Sequence, residues 1–295
     1  MGADIAHRHV TVDGAPRHLA CTGPGAPVVL VHGWPEFWLS WEPVMRRLAG
    51  RFTLIAPDLR GFGASDKLPS GRHGETTAER HAADLLGILD ALGLDRVGLV
   101  GHDVGAYVAQ SFARSHPERL RGLFFFDCPY PGLGPRPAQP RHQRETWYQS
   151  FNQLPWAAEL VGGSREACRL YIGHFLRHWA GGRPDAFDDV LDAFVDNFMQ
   201  PGNLQGGFNW YIAAAPGRLA VQEERAPPLP RITVPTRVVW GDHDPLFPYA
   251  WTDRLGETFE RLELSPFEGA GHFPHRERPE EAAAAIAAFF GRLEA

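Results

Sequence analysis

The chain has 295 residues, of which 44% are hydrophobic and 22% charged, so it can bury a sizeable core and is not a disordered, collagenous or disulfide-rich sequence. Its net charge of −6 has the wrong sign for nucleic acid or an anionic membrane surface, so we expect neither partner. No apolar run reaches the ~18 residues of a membrane-spanning helix, and the N-terminus does not resemble a secretory signal. The three cysteines lack metal or redox spacing, which favours reduced thiols in a cytoplasmic protein.

The first part of the chain alternates between strand and helix patterns. Two short strands flank the turn dipeptide Asp13-Gly14 and predict a β-hairpin. Four continuous apolar runs, at 27–31, 52–56, 97–100 and 123–126, are typical of strands buried on both faces of a parallel sheet. Helical periodicity covers 76–92 and a run from Val104 to His116. This alternation predicts a doubly wound α/β sheet.

The alternation stops at about residue 131 and returns near 229. The stretch between holds helical segments at 144–151, 164–179 and 185–199, many aromatic residues, and no strand-like run. Strands then follow at 237–240 and 261–264, and an Ala-rich helix at 279–293. We therefore predict an α/β core of residues 1–131 and 229–295, interrupted by a helical cap of residues 132–228.

A candidate nucleophile lies between a predicted strand and a predicted helix. The segment 101–105 reads GHDVG, and its two glycines fit a tight strand–turn–helix elbow of the kind that presents a nucleophile. The central Asp103 can attack carbon and form an enzyme ester. A carboxylate nucleophile suits displacement at an sp³ carbon, which means opening an epoxide or breaking a carbon–halogen bond. The alternative is an Asp N-cap on an ordinary helix.

Two further segments supply an oxyanion hole and a base. The segment HGWP at 32–35 follows the first buried strand, and the backbone amides of Trp34 and Val104 are candidates for stabilising an anion. The segment GAGHFPH at 269–275 lies between the last strand and the final helix. Either of its histidines could activate water, and we favour His272 over His275 because His272 directly follows the flexible Gly-Ala-Gly.

Candidate acids and hydrogen-bond donors complete the set. Asp244, after the next-to-last strand, and Asp127, at the end of an earlier strand, could each orient the histidine. In the predicted cap, Tyr148 and Tyr211 could donate hydrogen bonds to an epoxide oxygen as it becomes an alkoxide. Packing in an aromatic core is the alternative explanation for both tyrosines.

These segments together resemble the α/β-hydrolase superfamily, in the branch that contains epoxide hydrolases and haloalkane or haloacetate dehalogenases. The stretch HGWPEFW at 32–38 resembles the HGWPExW segment of epoxide hydrolases, and DLRGFGAS at 58–65 matches the family's DxRGxGxS stretch. The elbow GHD at 101–103 and the loop GHF at 271–273 match the nucleophile and base segments. The resemblance covers nearly the whole chain.

The resemblance implies a role for each candidate residue. Asp103 corresponds to the nucleophile, His272 to the base and Asp244 to the acid, and family spacing favours Asp244 over Asp242. Asp127 corresponds to the acid position of the related dehalogenases, which keeps both the choice of acid and that alternative open. Tyr148 and Tyr211 correspond to the epoxide-polarising tyrosines. The expected reaction converts an epoxide to a vicinal diol, with an apolar small molecule and water as substrates and with no cofactor or metal.

Two departures from the family pattern bear on the reaction. Ile212 follows Tyr211 where the family's segment reads NWYR, and we give this change no chemical weight. Val104 follows Asp103 where fluoroacetate dehalogenases carry an arginine that grips the substrate carboxylate, and valine cannot replace that bidentate clamp. The second departure favours an epoxide hydrolase.

Two alternatives remain at this point. A dehalogenase would use the same nucleophile with a halide cradle, for which Trp34, Trp147 and Trp210 are candidates. A non-catalytic ligand-binding protein could keep the same residues. The sequence leaves the oligomeric state open, with a homodimer as one candidate.

Overall fold

The computed structural model describes residues 4–68 and 73–293. Within those ranges eight strands form one sheet. The strands are β1 (Ala6–Val12), β2 (Ala15–Thr22), β3 (Ala26–Val31), β4 (Phe52–Pro57), β5 (Val97–His102), β6 (Leu120–Phe126), β7 (Thr236–Gly241) and β8 (Leu262–Phe267). The α-helices are α1 (Glu42–Leu48), α2 (Ala78–Ala91), α3 (Val104–Ser115), α4 (Gln143–Phe151), α5 (Ala157–Gly162), α6 (Arg165–His178), α7 (Leu191–Phe198), α8 (Asn203–Gln222), α9 (Leu255–Thr258), α10 (Pro274–Glu277) and α11 (Pro279–Leu293). Short 3-10 helices span Trp38–Trp41, His73–Thr76, Pro117–Arg119, Pro131–Leu133, Arg136–Ala138, Pro140–His142 and Tyr249–Arg254.

The sheet is mostly parallel, as predicted. Its strand order is β1-β2-β4-β3-β5-β6-β7-β8, and every neighbouring pair from β4 to β8 is parallel. Only β2 is antiparallel to its neighbours β1 and β4. The predicted hairpin joins β1 to β2 through Asp13 and Gly14, whose φ values of 51° and 75° are those of a type I′ turn.

Helices cover both faces of the sheet. Val29 and Val31 of β3 pack into an apolar cluster with α2 and α3, whereas Val28 and Leu30 pack into a second cluster with α1 and α11. Because side chains alternate between the two faces of a strand, these clusters lie on opposite sides of the sheet. This arrangement explains why the central strands are continuously apolar in sequence.

No strand occurs in the fully described stretch between β6 and β7, where the sequence predicted a cap; Ile232 near its end forms an isolated β-bridge with Phe259. Helix α7 begins at Leu191 rather than at 185, because the backbone from Arg183 to Val190 forms successive i→i+3 turns after Pro184. Helix α8 was not predicted, since Gly206, Gly207 and Pro216 resemble helix breaks.

The helical stretch packs into the same apolar cluster as α2 and α3, which includes residues of the predicted cap such as Tyr148 and Phe175. The boundaries of the cap at 131/132 and 228/229 therefore stay a prediction. In the described ranges, no helix is long and apolar enough to cross a membrane.

The start of α8 packs closely on the loop that follows β4. A Cβ on Gly206 would lie 1.9 Å from the carbonyl oxygen of Gly61, and Asn203 Nδ2 donates a hydrogen bond to the Gly63 carbonyl at 3.2 Å. The two backbones can approach this closely only because both facing residues are glycines. This contact sets the height of α8, and with it Tyr211, above the sheet.

We expect Gly206→Ala to lower the free energy of unfolding by about 2–3 kcal/mol, because the new methyl group must push α8 away from Gly61. Gly217→Ala is the matched control in the same helix, where a Cβ meets nothing within 4 Å. It should raise the free energy of unfolding by roughly 0.5–1 kcal/mol through helix propensity. Urea unfolding followed by circular dichroism measures both. Equal effects of the two substitutions would contradict the close contact.

Candidate active site

Asp103 occupies a strained elbow between β5 and α3. Its φ of 47° and ψ of −118° are unusual for a residue other than glycine. A Cβ on Gly101 would lie 2.7 Å from the Ala106 Cα, and one on Gly105 would lie 2.2 Å from the Val31 carbonyl oxygen. Glycine is therefore needed at both positions, as predicted, because a side chain would collide with neighbouring backbone atoms. The Asp103 side chain makes no N-cap hydrogen bond to α3, which argues against a merely structural role.

The two carboxylate oxygens of Asp103 have different neighbours. Oδ1 accepts a hydrogen bond from the backbone amide of Trp34 at 2.9 Å. Oδ2 lies 3.6 Å from Nε2 of His272, which is longer than a hydrogen bond. The carboxylate is only 6% exposed. One oxygen is thus held by the loop after β3, and the other faces the predicted base.

His272 is held from behind by Asp244. Its Nδ1 donates to Asp244 Oδ2 at 2.9 Å, and the other Asp244 oxygen accepts the amides of Leu246 at 2.7 Å and Phe247 at 3.0 Å. Burial alone would lower the pKa of His272, but the charges of Asp244 and Asp103 raise it well above its usual value. The arrangement fixes the tautomer of the ring, with Nε2 facing Asp103.

Asp127, the competing acid, makes a different contact. Its Oδ1 accepts the backbone amide of Gly241 at 2.7 Å, and its Oδ2 has no hydrogen-bond partner among the described residues. Burial, reinforced by the charge of Asp244, raises the pKa of Asp127 well above its usual value. The structure thus places Asp244, and not Asp127, against the ring of His272.

Tyr148 of α4 and Tyr211 of α8 meet above Trp34. The Tyr148 ring stacks on the Trp34 ring at 5.2 Å, the Tyr211 ring meets it edge-on at 5.3 Å, and the two tyrosine rings lie 5.4 Å apart. Both tyrosines are buried. Burial first, and then the charge of Asp103 and, for Tyr211, the neighbouring Tyr148, raise the pKa of each hydroxyl above its usual value. Both hydroxyls therefore keep their protons and can act as donors.

The two oxyanion candidates lie on either side of Asp103. The amide of Trp34 points at Oδ1, as described above. Val104 is the first residue of α3, where backbone amides have no acceptor within the helix. The Val104 amide is fixed by α3, and the Trp34 amide is held by the turn after β3, in which the Glu36 amide donates to the Gly33 carbonyl. Amides fixed in advance are what an oxyanion hole requires.

A buried network behind the site was not predicted from the sequence. Glu36 Oε2 contacts His102 Nδ1 at 2.6 Å and accepts the Gly33 amide at 2.8 Å, and Oε1 contacts His275 Nε2 at 2.8 Å. Burial would raise the pKa of Glu36, but the two histidines lower it well below its usual value. Burial also lowers the pKa of His275 to about 4. His275, the alternative base, thus faces Glu36 and not Asp103.

The Glu36 network reaches the nucleophile and the base through the backbone. Gly33 directly precedes Trp34, and His102 Nε2 donates to the His272 carbonyl at 2.7 Å. The ligand atoms of Glu36, His102 and His275 lie within 4.8 Å of one another. Since hydrogen bonds occupy both carboxylate oxygens, we assign this cluster a positioning role. The only sequence signal was the position of Glu36 in the HGWPE stretch.

Known proteins resemble this chain in sequence and in fold. Residues 26–279 match the family described as alpha/beta hydrolase fold. The chain is 32% identical to the soluble epoxide hydrolase of Corynebacterium sp. (strain C12), over 99% of this chain and 100% of that protein. It is 31% identical to epoxide hydrolase A of Mycobacterium tuberculosis, over 100% and 99% of the two chains. The structure of epoxide hydrolase CorEH without ligand is similar with a TM-score of 0.83 at 29% identity, over 98% of this chain and 100% of that one.

The chain belongs to the α/β-hydrolase superfamily. The predicted fold class and the prediction of a hydrolytic enzyme are thereby confirmed, and the idea of a non-catalytic binding protein is not supported. Within the superfamily, the full-length relatives named above are epoxide hydrolases.

The two candidate acids can be separated by substitution. Asp244→Asn should slow ester hydrolysis by on the order of 10³–10⁴, and should shift the acid limb of its pH profile to lower pH. The shift has this sign because the Asp244 charge raises the pKa of His272, and the base must be neutral. Asp127→Asn should leave both features close to those of the parent, since the Asp127 side chain accepts the Gly241 amide and does not contact the ring of His272. Single-turnover kinetics across pH measures both, and the reverse pattern would assign the acid to Asp127.

Proposed function

We propose that this enzyme converts epoxides to vicinal diols in two steps, with Asp103 as the nucleophile. The class of reaction follows from the full-length relationship to epoxide hydrolases. One observation supports the roles of the residues. A buried aspartate at the elbow has one oxygen held by an amide and the other facing a histidine, beneath two protonated tyrosines.

In the first step, Oδ2 of Asp103 attacks a ring carbon and the carbon–oxygen bond of the epoxide breaks. Oδ2 is the attacking atom because Oδ1 is engaged by the Trp34 amide. Tyr148 and Tyr211 donate hydrogen bonds to the departing oxygen, and one of them transfers its proton to the alkoxide. The product is a β-hydroxyalkyl ester, with Oδ1 as its carbonyl oxygen.

In the second step, His272 removes a proton from water and the resulting hydroxide attacks Cγ of Asp103. The negative charge develops on Oδ1, where the amides of Trp34 and Val104 stabilise it. The tetrahedral intermediate collapses and the diol oxygen leaves with the proton from His272, which leaves Asp103 as a carboxylic acid. That acid then loses its proton to solvent and the tyrosinate takes one up, so both groups return to their starting state. Asp244 stabilises the imidazolium that forms between the two proton transfers.

The surroundings of the site favour an apolar substrate. Rings of Trp34, Phe175 and Trp179 pack around Tyr148 at centroid distances of 5.0–5.2 Å. Such a wall offers apolar contact to a small organic molecule while the tyrosine hydroxyls orient its oxygen. We propose an apolar epoxide and water as the ligands, with neither nucleic acid nor membrane as a partner. Free thiols at all three cysteines support a cytoplasmic location, and a homodimer stays a candidate assembly.

The geometry is less favourable for a dehalogenase. Trp147, one candidate for a halide cradle, is 43% exposed on the cap. The indole nitrogen of Trp34 lies beside Gly207, where a Cβ would be 3.2 Å away, and Trp210 packs against the rings of His81 and Tyr107. Among the described ring contacts, the three indoles do not meet one another, whereas the rings of Tyr148 and Tyr211 do.

Substitution of the nucleophile tests the covalent mechanism. Asp103→Asn should abolish steady turnover of styrene oxide, because the amide is not a nucleophile, and mass spectrometry must show that the asparagine has not deamidated. In ¹⁸O-water, a single turnover of the parent enzyme should place label in Asp103, since the attacking hydroxide stays on its carboxylate. Retained turnover by the verified variant, or label found only in the diol, would contradict the ester.

Substitution of the tyrosines tests the first step alone. Tyr148→Phe and Tyr211→Phe should each slow ester formation by about 10²-fold, because each removes one donor from the developing alkoxide. Hydrolysis of ester already formed should change little. Rapid-quench mass spectrometry of the protein after mixing with styrene oxide resolves the two rates. Unchanged ester formation in both variants would exclude these tyrosines as donors.

A further inference from the structure

We infer that the cap segment 179–182 positions His272 for ester hydrolysis through main-chain contacts. This inference rests on the proposed function, and it concerns residues outside the catalytic set described above. The segment follows α6 and carries the sequence Trp-Ala-Gly-Gly. It lies directly against the loop that holds His272.

The first contact is a hydrogen bond from the base to the cap. The backbone amide of His272 donates to the carbonyl of Trp179 at 2.7 Å. The Trp179 ring meets the His272 ring nearly edge-on, with centroids 5.4 Å apart, and also packs on Tyr148 at 5.0 Å. A single cap residue thus contacts both the base and one proposed donor to the epoxide oxygen.

The second contact is a stack of three glycines. A Cβ on Gly181 would lie 2.6 Å from the Cα of Gly271, and a Cβ on Gly271 would lie 2.4 Å from the Trp179 carbonyl oxygen. On its other side, Gly271 packs against Gly241 at the end of β7. A Cβ on Gly241 would lie 2.0 Å from the Gly271 carbonyl oxygen. The residue before His272 is therefore clamped between the sheet and the cap. Position 271 therefore requires glycine because a side chain would not fit there, and not because the loop has to be flexible, as the sequence analysis assumed.

The core supplies the remaining anchors of the histidine loop. Glu277 accepts the amides of Gly271 at 2.7 Å and Phe273 at 2.9 Å. These two amides flank the amide of His272, which instead donates to the cap. The backbone amide of His272 therefore depends on the predicted cap for its acceptor, which is the Trp179 carbonyl.

A further contact joins the cap to helix α10, which directly follows the loop of His272. Arg276 Nε donates to the Ala186 carbonyl at 2.9 Å, and its guanidinium pairs with Asp189 and lies over the Phe187 ring. Cap residues from Trp179 to Asp189 thus hold the histidine loop at two points. A shift of this stretch moves the base relative to Asp103.

The two chemical steps differ in their need for this contact. Attack on the epoxide uses Asp103 and the tyrosines, whereas hydrolysis of the ester uses His272. Misplacing a catalytic group by about 1 Å can cost on the order of 10² in rate. Displacing the segment at Gly181 should therefore slow the second step selectively. Gly181 is a better site for the test than Trp179, whose ring also touches Tyr148.

The experiment compares Gly181→Ala with Gly134→Ala. Both glycines belong to the predicted cap and have positive φ, 50° and 55°, a region that alanine enters only at a cost in both variants. A Cβ at Gly134 meets nothing within 4 Å, whereas one at Gly181 meets Gly271. Rapid-quench mass spectrometry with styrene oxide measures formation and decay of the Asp103 ester. We expect ester decay in Gly181→Ala to be at least about tenfold slower than in Gly134→Ala, with ester formation nearly equal, so that the ester accumulates in a burst.

Equal decay rates in the two variants, or equal slowing of both steps in Gly181→Ala, would overturn the inference. If circular dichroism shows that Gly181→Ala does not fold, Gly182→Ala decides, because its Cβ would lie a milder 3.1 Å from the Gly269 carbonyl oxygen. That variant should show the same selective slowing to a smaller degree, and parent-like decay in it would overturn the inference. Absence of any Asp103 ester in the parent enzyme would instead contradict the proposed function.

Discussion

Backbone crowding at the carboxyl ends of β3 and β5 is the constraint on which the site depends. Gly105 of α3 presses against the carbonyls of Val31 and His32, and Gly33 leaves no room for a Cβ beside Asp103. These contacts hold α3 and the loop after β3 close enough for the Trp34 amide to reach the Asp103 carboxylate. A side chain at either glycine would separate the amide from the oxygen that it binds.

The charge state of each buried carboxyl follows from the number and kind of its partners. Glu36 contacts two histidines and a backbone amide and stays ionised although it is fully buried. Asp127 accepts a single backbone amide, so burial dominates and raises its pKa well above the usual value. Asp244 accepts two amides and faces His272. Burying a charge is costly unless it is paired, and the fold pairs the carboxylates that contact histidine.

The sequence predicted the sheet and the triad candidates because both depend on local patterns. Apolar runs mark parallel strands, and the carboxyl ends of such strands meet at one edge, so polar residues after β5, β7 and β8 must lie near one another. Helix α8 escaped prediction because Gly206 and Pro216 have low helix propensity, and tertiary packing against the Gly61 loop outweighs it. Glu36 escaped because its partners His102 and His275 come from distant parts of the chain.

In the proposed mechanism, formation of the Asp103 ester changes the electrostatics of the site in a direction that favours the second step. Burial lowers the pKa of His272, while the charges of Asp244 and Asp103 raise it. When Asp103 becomes an ester, its charge disappears and only Asp244 continues to raise that pKa, so the imidazole more readily becomes the neutral base that water requires. The same loss of charge lowers the pKa of Tyr148 and Tyr211, which burial and Asp103 hold high in the free enzyme. Proton donation to the alkoxide therefore becomes easier as the alkoxide forms. In this mechanism the charge of Asp103 raises the pKa of the two tyrosines and of His272, and the loss of that charge on ester formation lowers all three pKa values again.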